Sequence, residues 1–248
     1  MQDFIKARLM HGYQAIPDIR KASINKAFRG FPVIKKDSGN VLRADMCPIG
    51  AILEDPIRID MGSCVFCGRC LEAAGDSVTF TNFHCLASDS REKLILDGSL
   101  SAQDYKNSAV KIRAEIKKIF GRSLKLRSVS AGGCNGCELE LNACGNVNFD
   151  MGRFGIEMVA SPRHADGIVI TGPINENMAK ALEDTYRSIP EPKIVILMGT
   201  CAISGGVFKN SPALNRSFIE KHPVDLYLPG CPVHPLTFIN GVLDFIGR

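Results

Sequence analysis

Residues 126–137 read Leu-Arg-Ser-Val-Ser-Ala-Gly-Gly-Cys-Asn-Gly-Cys. A short strand-like run, Leu126–Ser130, breaks at paired glycines and ends in a Cys-x-x-Cys pair. The same grammar recurs twice. Ile194–Met198 runs into Gly199-Thr200-Cys201, and Leu226–Leu228 runs into Pro229-Gly230-Cys231-Pro232. Two further apolar runs, Ile156–Ala160 and Ile168–Thr171, bring the strands to five. Helical stretches lie between or after them at Glu138–Ala143, Asn175–Ser188, Pro212–Lys221 and Pro235–Ile246. Strands alternating with helices predict an α/β fold, a parallel sheet with helices on both faces. In such a sheet the carboxyl ends of the strands share one edge, where ligands bind. Cys134, Cys137, Cys201 and Cys231, distant in sequence, are therefore expected to converge there.

Glycine beside each thiol lets backbone approach a bulky inorganic group and aim N–H donors at its sulfur. Four soft thiolates suit tetrahedral zinc or a 4Fe–4S cluster. Structural zinc usually takes two close pairs in a small ribbon or finger. One close pair and two distant singles on the loops of a large sheet predict the iron–sulfur cluster, with zinc or free thiols as the alternative.

The 248-residue chain is otherwise ordinary: 45% hydrophobic, 23% charged, net charge +4. It has no uninterrupted apolar run of membrane-spanning length. The mild basic surplus sits in the first half and is too weak to indicate nucleic-acid binding. Ten cysteines are the outlier. The opening MQDFIKARLMHGYQAI lacks a secretory h-region and cleavage site, and no twin-arginine pair appears. A cytoplasmic protein is expected, and in that setting thiols point to metal or redox chemistry rather than to disulfides. No Gly-x-Gly-x-x-Gly and no Gly-Lys-Ser/Thr occurs, so Gly205-Gly206 is not read as a nucleotide loop.

The motifs GGCNGCELEL, SPRHADGIVITGP, MGTCAISGGVF and PGCPVHP resemble the small subunit of energy-converting (group 4) NiFe hydrogenases, such as that of formate hydrogenlyase. That family shares its fold with the 20 kDa subunit of respiratory complex I. The resemblance covers residues 122–248. It implies a flavodoxin-like domain holding the cluster proximal to a partner's active site, with Cys134, Cys137, Cys201 and Cys231 as ligands. The complex I subunit has adjacent cysteines in its first motif, whereas here Asn-Gly separates the pair, as in the hydrogenases. Pro-Val-His after Cys231 departs from the family's usual Pro-Pro.

A second quartet lies upstream, in Cys47-Pro48 and Cys64-Val65-Phe66-Cys67-Gly68-Arg69-Cys70. Bacterial two-cluster ferredoxins carry three cysteines at intervals of three and then a Cys-Pro whose cysteine ligates the other cluster. Here only the Cys-Pro of one motif and the triplet of the other survive, and Ala74-Gly75 replaces the second Cys-Pro. Cys47, Cys64, Cys67 and Cys70 form one complete ligand set, so one 4Fe–4S cluster is expected, zinc again being the alternative. Residues 41–80 thus resemble half a ferredoxin. With Phe28-Arg29-Gly30 they look like the ferredoxin subunit of formate hydrogenlyase fused to the hydrogenase subunit.

The expected organisation is a small α+β ferredoxin-like module (1–98), a linker helix (99–121) and the flavodoxin-like domain (122–248). Ser101 caps the linker helix, with Asp104 three residues on. Tyr105, Ala109, Ile112, Ile116 and Phe120 share one face, and Gly121 ends it.

Glu138 and Glu140 open the helix after the thiol pair, where dipole complementation is the plain reading. The resemblance adds a proton-relay role, assigned to Glu138 ahead of Glu140. It also suggests that Arg163 and His164 tune the proximal cluster. Cys85 and Cys144 are read as core thiols, and His234 as a helix-start residue. The whole predicts an electron-transfer subunit with two 4Fe–4S clusters. It would relay electrons between a NiFe-hydrogenase-like large subunit and a ferredoxin, formate dehydrogenase or membrane-embedded partner, at the inner face of the cytoplasmic membrane. The other readings are a complex I-like subunit without nickel, a zinc-binding assembly module, and a stand-alone ferredoxin-like carrier, which the size of the second domain disfavours.

Overall fold

The computed structural model describes residues 2–35 and 42–248. Val41, the first residue of the expected ferredoxin-like core, lies outside them. The N-terminal part begins with helix α1 (Gln2–His11) and holds two small antiparallel sheets. Strand β1 (Pro32–Ile34) pairs with β4 (Val78–Phe80). Strands β2 (Ile52–Leu53), β3 (Arg58–Asp60) and β5 (Ile95–Leu96) form the other, and helix α2 (Arg69–Ala74) begins inside the cysteine triplet.

The C-terminal part is the predicted α/β unit. Its strands are β6 (Leu124–Ser130), β7 (Ile156–Met158), β8 (Gly167–Thr171), β9 (Ile194–Met198) and β10 (Leu226–Leu228). All pair in parallel in the order β10-β9-β8-β6-β7. Counted from its own first strand this is 2-1-3-4-5, the flavodoxin order, which reverses direction between β6 and β8. The two faces separate by the period of two that a strand dictates. Ile168, Ile170, Val195 and Leu197 enter one core layer, and Val169, Ile194, Ile196 and Met198 the other.

Helices α6 (Glu176–Ser188), α7 (Thr200–Ser204) and α8 (Ser217–Lys221) cover the first face through Leu182, Ala202, Ile203 and Phe218. Helices α5 (Gly136–Ala143) and α9 (Pro235–Phe245) cover the second. The N-terminal part packs into both layers. Phe31, Met61, Phe66 and Leu86 join the first, and Ile19 and Ala87 the second.

Two expectations are corrected. The single helix after Ser101 is two helices, α3 (Ala102–Ala109) and α4 (Ala114–Phe120). Ser101 does cap the first, accepting from the Asp104 N–H. At its end the Ala109 carbonyl accepts from the Asp89 N–H and Lys93 Nζ, and the Asp89 carboxylate accepts from the Lys111 N–H. These tertiary partners replace the next helical turn, and Ile112 faces solvent. The helix expected over Pro212–Lys221 is confined to Ser217–Lys221. Before it, the backbone pairs with residues 174–176 through Glu176 N–H to Ala213 and Asn215 N–H to Ile174.

His84 is buried beside Asn240, and its backbone carbonyl accepts from Thr237. Burial, reinforced by the nearby His234, lowers its pKa from 6.5 to about 4. The unfolded chain takes up this proton below pH 6.5, whereas the folded chain resists until about pH 4. Stability contributed here is present above pH 6.5 and lost across that window, about 3 kcal/mol. The His84→Gln variant is expected to flatten the acid limb of the denaturant midpoint between pH 6.5 and 4.

Candidate metal centre

Each thiol of the second quartet follows the carboxyl end of a strand: Cys134 and Cys137 after β6, Cys201 after β9, Cys231 after β10. Asn135, between the paired thiols, has φ +68°, a left-handed conformation that asparagine tolerates. The loops are tied together by Gly199 N–H to Leu228 and Thr200 N–H to Gly230. The thiols stand within electrostatic reach of one another. Cys137 is influenced by Cys201 and Cys231, and Cys201 by Cys231 and Cys134. Burial pushes the Cys137 thiol up to about 12 and Cys201 to about 11. Backbone N–H groups of Val233 and Val207 point at these two sulfurs. Two glycines keep the space clear. A Cβ on Gly199 would lie 2.5 Å from Cys137 Sγ, and one on Gly206 would lie 2.9 Å from Cys201 Sγ.

The first quartet lines one apolar cavity. Cys47, Cys64, Cys67 and Cys70 share its walls with Met46, Ile49, Ile52, Ile59 and Phe80. Burial drives Cys64 to about 12, and Cys47, Cys70 and Cys67 each act on it. The Ala51 N–H donates to Cys47 Sγ (3.2 Å) and the Phe66 N–H to Cys64 Sγ (3.3 Å). Phe66 holds φ +52°, a strained conformation for an aromatic residue. Its ring packs edge-on against Phe80, and its carbonyl accepts from Arg29. Beneath the loop, Asp60 accepts from Arg91, from the Gly62 N–H (2.9 Å) and from Ser63 Oγ (2.6 Å).

Both quartets fit a sulfide-bridged cluster: four soft donors, amide N–H groups aimed at sulfur and a cradle that side chains would fill. Among the described residues, no three His, Cys, Asp or Glu side chains gather closely enough for a single metal ion.

The two sets adjoin. Thr200, 1% exposed, donates its hydroxyl to the Cys64 carbonyl (2.7 Å) and to the Gly230 carbonyl (3.2 Å). Lys209 Nζ reaches the Ile49 carbonyl (2.6 Å). Cys67 and Cys231 are exposed, and Cys67 is among the groups acting on the Cys231 thiol.

Glu138 is pinned at the point where strand order reverses. It accepts from Ser130 Oγ at the end of β6 (2.5 Å) and Thr171 Oγ1 at the end of β8 (2.7 Å). Glu140, given the lesser role from sequence, faces a cavity of about 280 Å³ shared with Phe28, Arg29, Cys231 and His234. Burial raises its pKa. His234 caps α9, its Nδ1 accepting from the Leu236 N–H. Cys144 is fully buried at the end of α5, and Cys85 is buried beside His84.

Arg163 and His164 require correction. They are exposed on the turn entering β8, at its amino end, whereas the thiols follow carboxyl ends. Neither is among the groups acting on the Cys137, Cys201 or Cys231 thiol. Sequence reasoning missed Thr200, Asp60, Arg91 and Arg216. Only Thr200 carried a signal, its place directly before a cysteine.

Comparison with known proteins places the chain. The signature of the NADH ubiquinone oxidoreductase 20 kDa subunit family matches residues 134–245. A probable membrane-bound hydrogenase subunit of Pyrococcus furiosus is 40% identical over 130 residues, 52% of this chain and 78% of that one. Formate hydrogenlyase subunit 7 of Escherichia coli is 39% identical over 140 residues, 56% of this chain and 55% of that one. An NADH-quinone oxidoreductase subunit of Geotalea daltonii is 43% identical over 115 residues, 45% of this chain and 67% of that one. The chain belongs to the NADH ubiquinone oxidoreductase 20 kDa subunit family, shared by hydrogenase and quinone-reductase subunits, and is an oxidoreductase subunit. The family signature begins at Cys134, so the first quartet lies outside it.

Proposed function

We propose that this chain is the electron-transfer subunit of a NiFe-hydrogenase-type complex and carries two 4Fe–4S clusters. Cys134, Cys137, Cys201 and Cys231 hold one, and Cys47, Cys64, Cys67 and Cys70 hold the other, within a ferredoxin-like module fused to the family domain. The clusters supply one-electron chemistry; the chain supplies burial, separation and hydrogen bonding. The observation carrying the reading is the abutment of two complete thiol sets, joined through Thr200. Each electron lost at one site is gained at the other, so direction follows the external donor.

The hydrogenase assignment rests on the spaced Cys134/Cys137 pair and on relatives named as hydrogenase and formate hydrogenlyase subunits. The large subunit is expected over the edge bearing Cys134 and Cys231. Leu139, two residues after Cys137, and Val207 and Phe208, just after α7, are 61%, 60% and 41% exposed, apolar surface suited to burial. Among the described residues no helix is long and apolar enough to cross a membrane. The quinone-reductase relatives support a second reading, a nickel-free partner acting on quinone or ferredoxin.

Isolation of the native complex without air separates the two. The first reading expects nickel and hydrogen-dependent dye reduction. A nickel-free large subunit lacking two Cys-x-x-Cys pairs would replace it with the second.

Glu138 places negative charge beside Cys137 and Cys201. Glu138→Gln is expected to move the C-terminal cluster to a less negative potential in a redox titration. An unchanged potential would restrict Glu138 to holding β6 against β8.

A further inference from the structure

We infer that Arg216 is the counter-charge of the C-terminal cluster and sets its reduction potential. The inference rests on the cluster assignment proposed above for Cys134, Cys137, Cys201 and Cys231.

Arg216 precedes α8 and turns its guanidinium back under α7. Nη1 donates to the Pro173 carbonyl (2.9 Å) and, at 3.4 Å, to the carbonyl of Cys201 itself. Nη2 donates to the carbonyls of Ala202 (2.7 Å) and Ile203 (2.9 Å). The fork therefore grips the segment carrying one ligand and the loop leaving β8. Every one of these acceptors is neutral. Among the described residues, Arg216 belongs to no ion pair with a carboxylate.

A half-buried guanidinium satisfied only by carbonyls has its hydrogen bonds but not its charge answered. The groups acting on it are the Cys201 thiol and the exposed Glu220. A cluster held by four thiolates is negatively charged and gains one more negative charge on reduction. A fixed cation behind Cys201 favours that reduced state, and low dielectric strengthens the effect relative to water. The plain alternative is a cap on the carbonyls of α7, a role that any long donor fills and that leaves the potential unmoved. Arg216 is a positioning and electrostatic residue, since it reaches the cluster through Cys201.

The test is a redox titration of the anaerobically purified protein, followed by EPR, comparing wild type with Arg216→Gln and Arg216→Lys. The N-terminal cluster serves as the internal control. Arg216→Gln is expected to disfavour reduction of the C-terminal cluster at least tenfold, a shift of about 59 mV to more negative potential for a one-electron couple. Arg216→Lys keeps the charge and is expected to stay near wild type. The N-terminal cluster is expected to hold its potential in both.

An unmoved potential in the glutamine variant, equal shifts at both clusters, or a lysine variant shifted as far as the glutamine one would overturn the inference. So would failure of both variants to load the C-terminal site while the N-terminal one fills, which marks Arg216 as a clamp only. A wild-type protein with no C-terminal cluster would instead defeat the underlying assignment, and this inference with it.

Discussion

Cys201→Ser is expected to remove the C-terminal cluster, halve the iron content and abolish hydrogen turnover in the assembled complex, while the N-terminal cluster's EPR signal survives. Cys201 sits on α7, whose loop is tied to β10 through Thr200 and to the N-terminal part through Thr200 and Lys209. Serine keeps the volume and offers a hard oxygen where a soft thiolate is needed. Fold is therefore retained and the cluster is lost. Selectivity follows from the separate supports of the two sets, since the first has its own cavity and its own amide donors. Anaerobic iron analysis with EPR after dithionite reduction checks the result. Wild-type turnover in this variant would refute the ligand assignment, and loss of both signals would show that the sites are not independent.

Asp60→Ala is expected to destabilise the protein by about 3 kcal/mol and to empty the N-terminal site selectively. Asp60 is 6% exposed and takes Arg91, the Gly62 N–H and the Ser63 hydroxyl at once. Its removal leaves Arg91 half-buried without its counter-charge, and breaking a buried pair from one side costs about 3–5 kcal/mol. Arg91 retains partial access to water, which places the expectation at the lower bound. The Cys64 N–H bonds to the Asp60 backbone carbonyl, so the strand end and the ligand loop move together. Denaturant unfolding reads the stability, and the N-terminal EPR signal reads the site. A loss below about 1 kcal/mol would place Asp60 among ordinary surface-type positions.

The flavodoxin-like unit was legible because its signals are local. Strand-length apolar runs alternate with helical stretches, and glycine marks each turn where backbone must pass close to sulfur. Ile194–Met198 and Leu226–Leu228 match their strands residue for residue. Convergence of the second quartet followed from the rule that strand ends share an edge. The misses are tertiary in origin. Asp89 and Lys93, distant in sequence from Ala109, take over its carbonyl and break a helix that periodicity alone continues. Arg163 and His164 sit in a motif next to a strand, and proximity in sequence did not reveal which end of the strand they occupy. Arg216 has no motif around it. Its significance arises only when the chain folds its guanidinium beneath Cys201. Asp60 and Arg91 lie 31 positions apart and gave no reason to be paired.

We propose that eight thiols in one chain hold two iron–sulfur clusters close together. Iron and acid-labile sulfide measured on protein purified without air, together with EPR of the reduced protein, test it most directly. About eight iron and about eight sulfide per chain are expected, with two reduced signals that broaden each other. Zinc in place of iron, or about four iron with a single unperturbed signal, would contradict it.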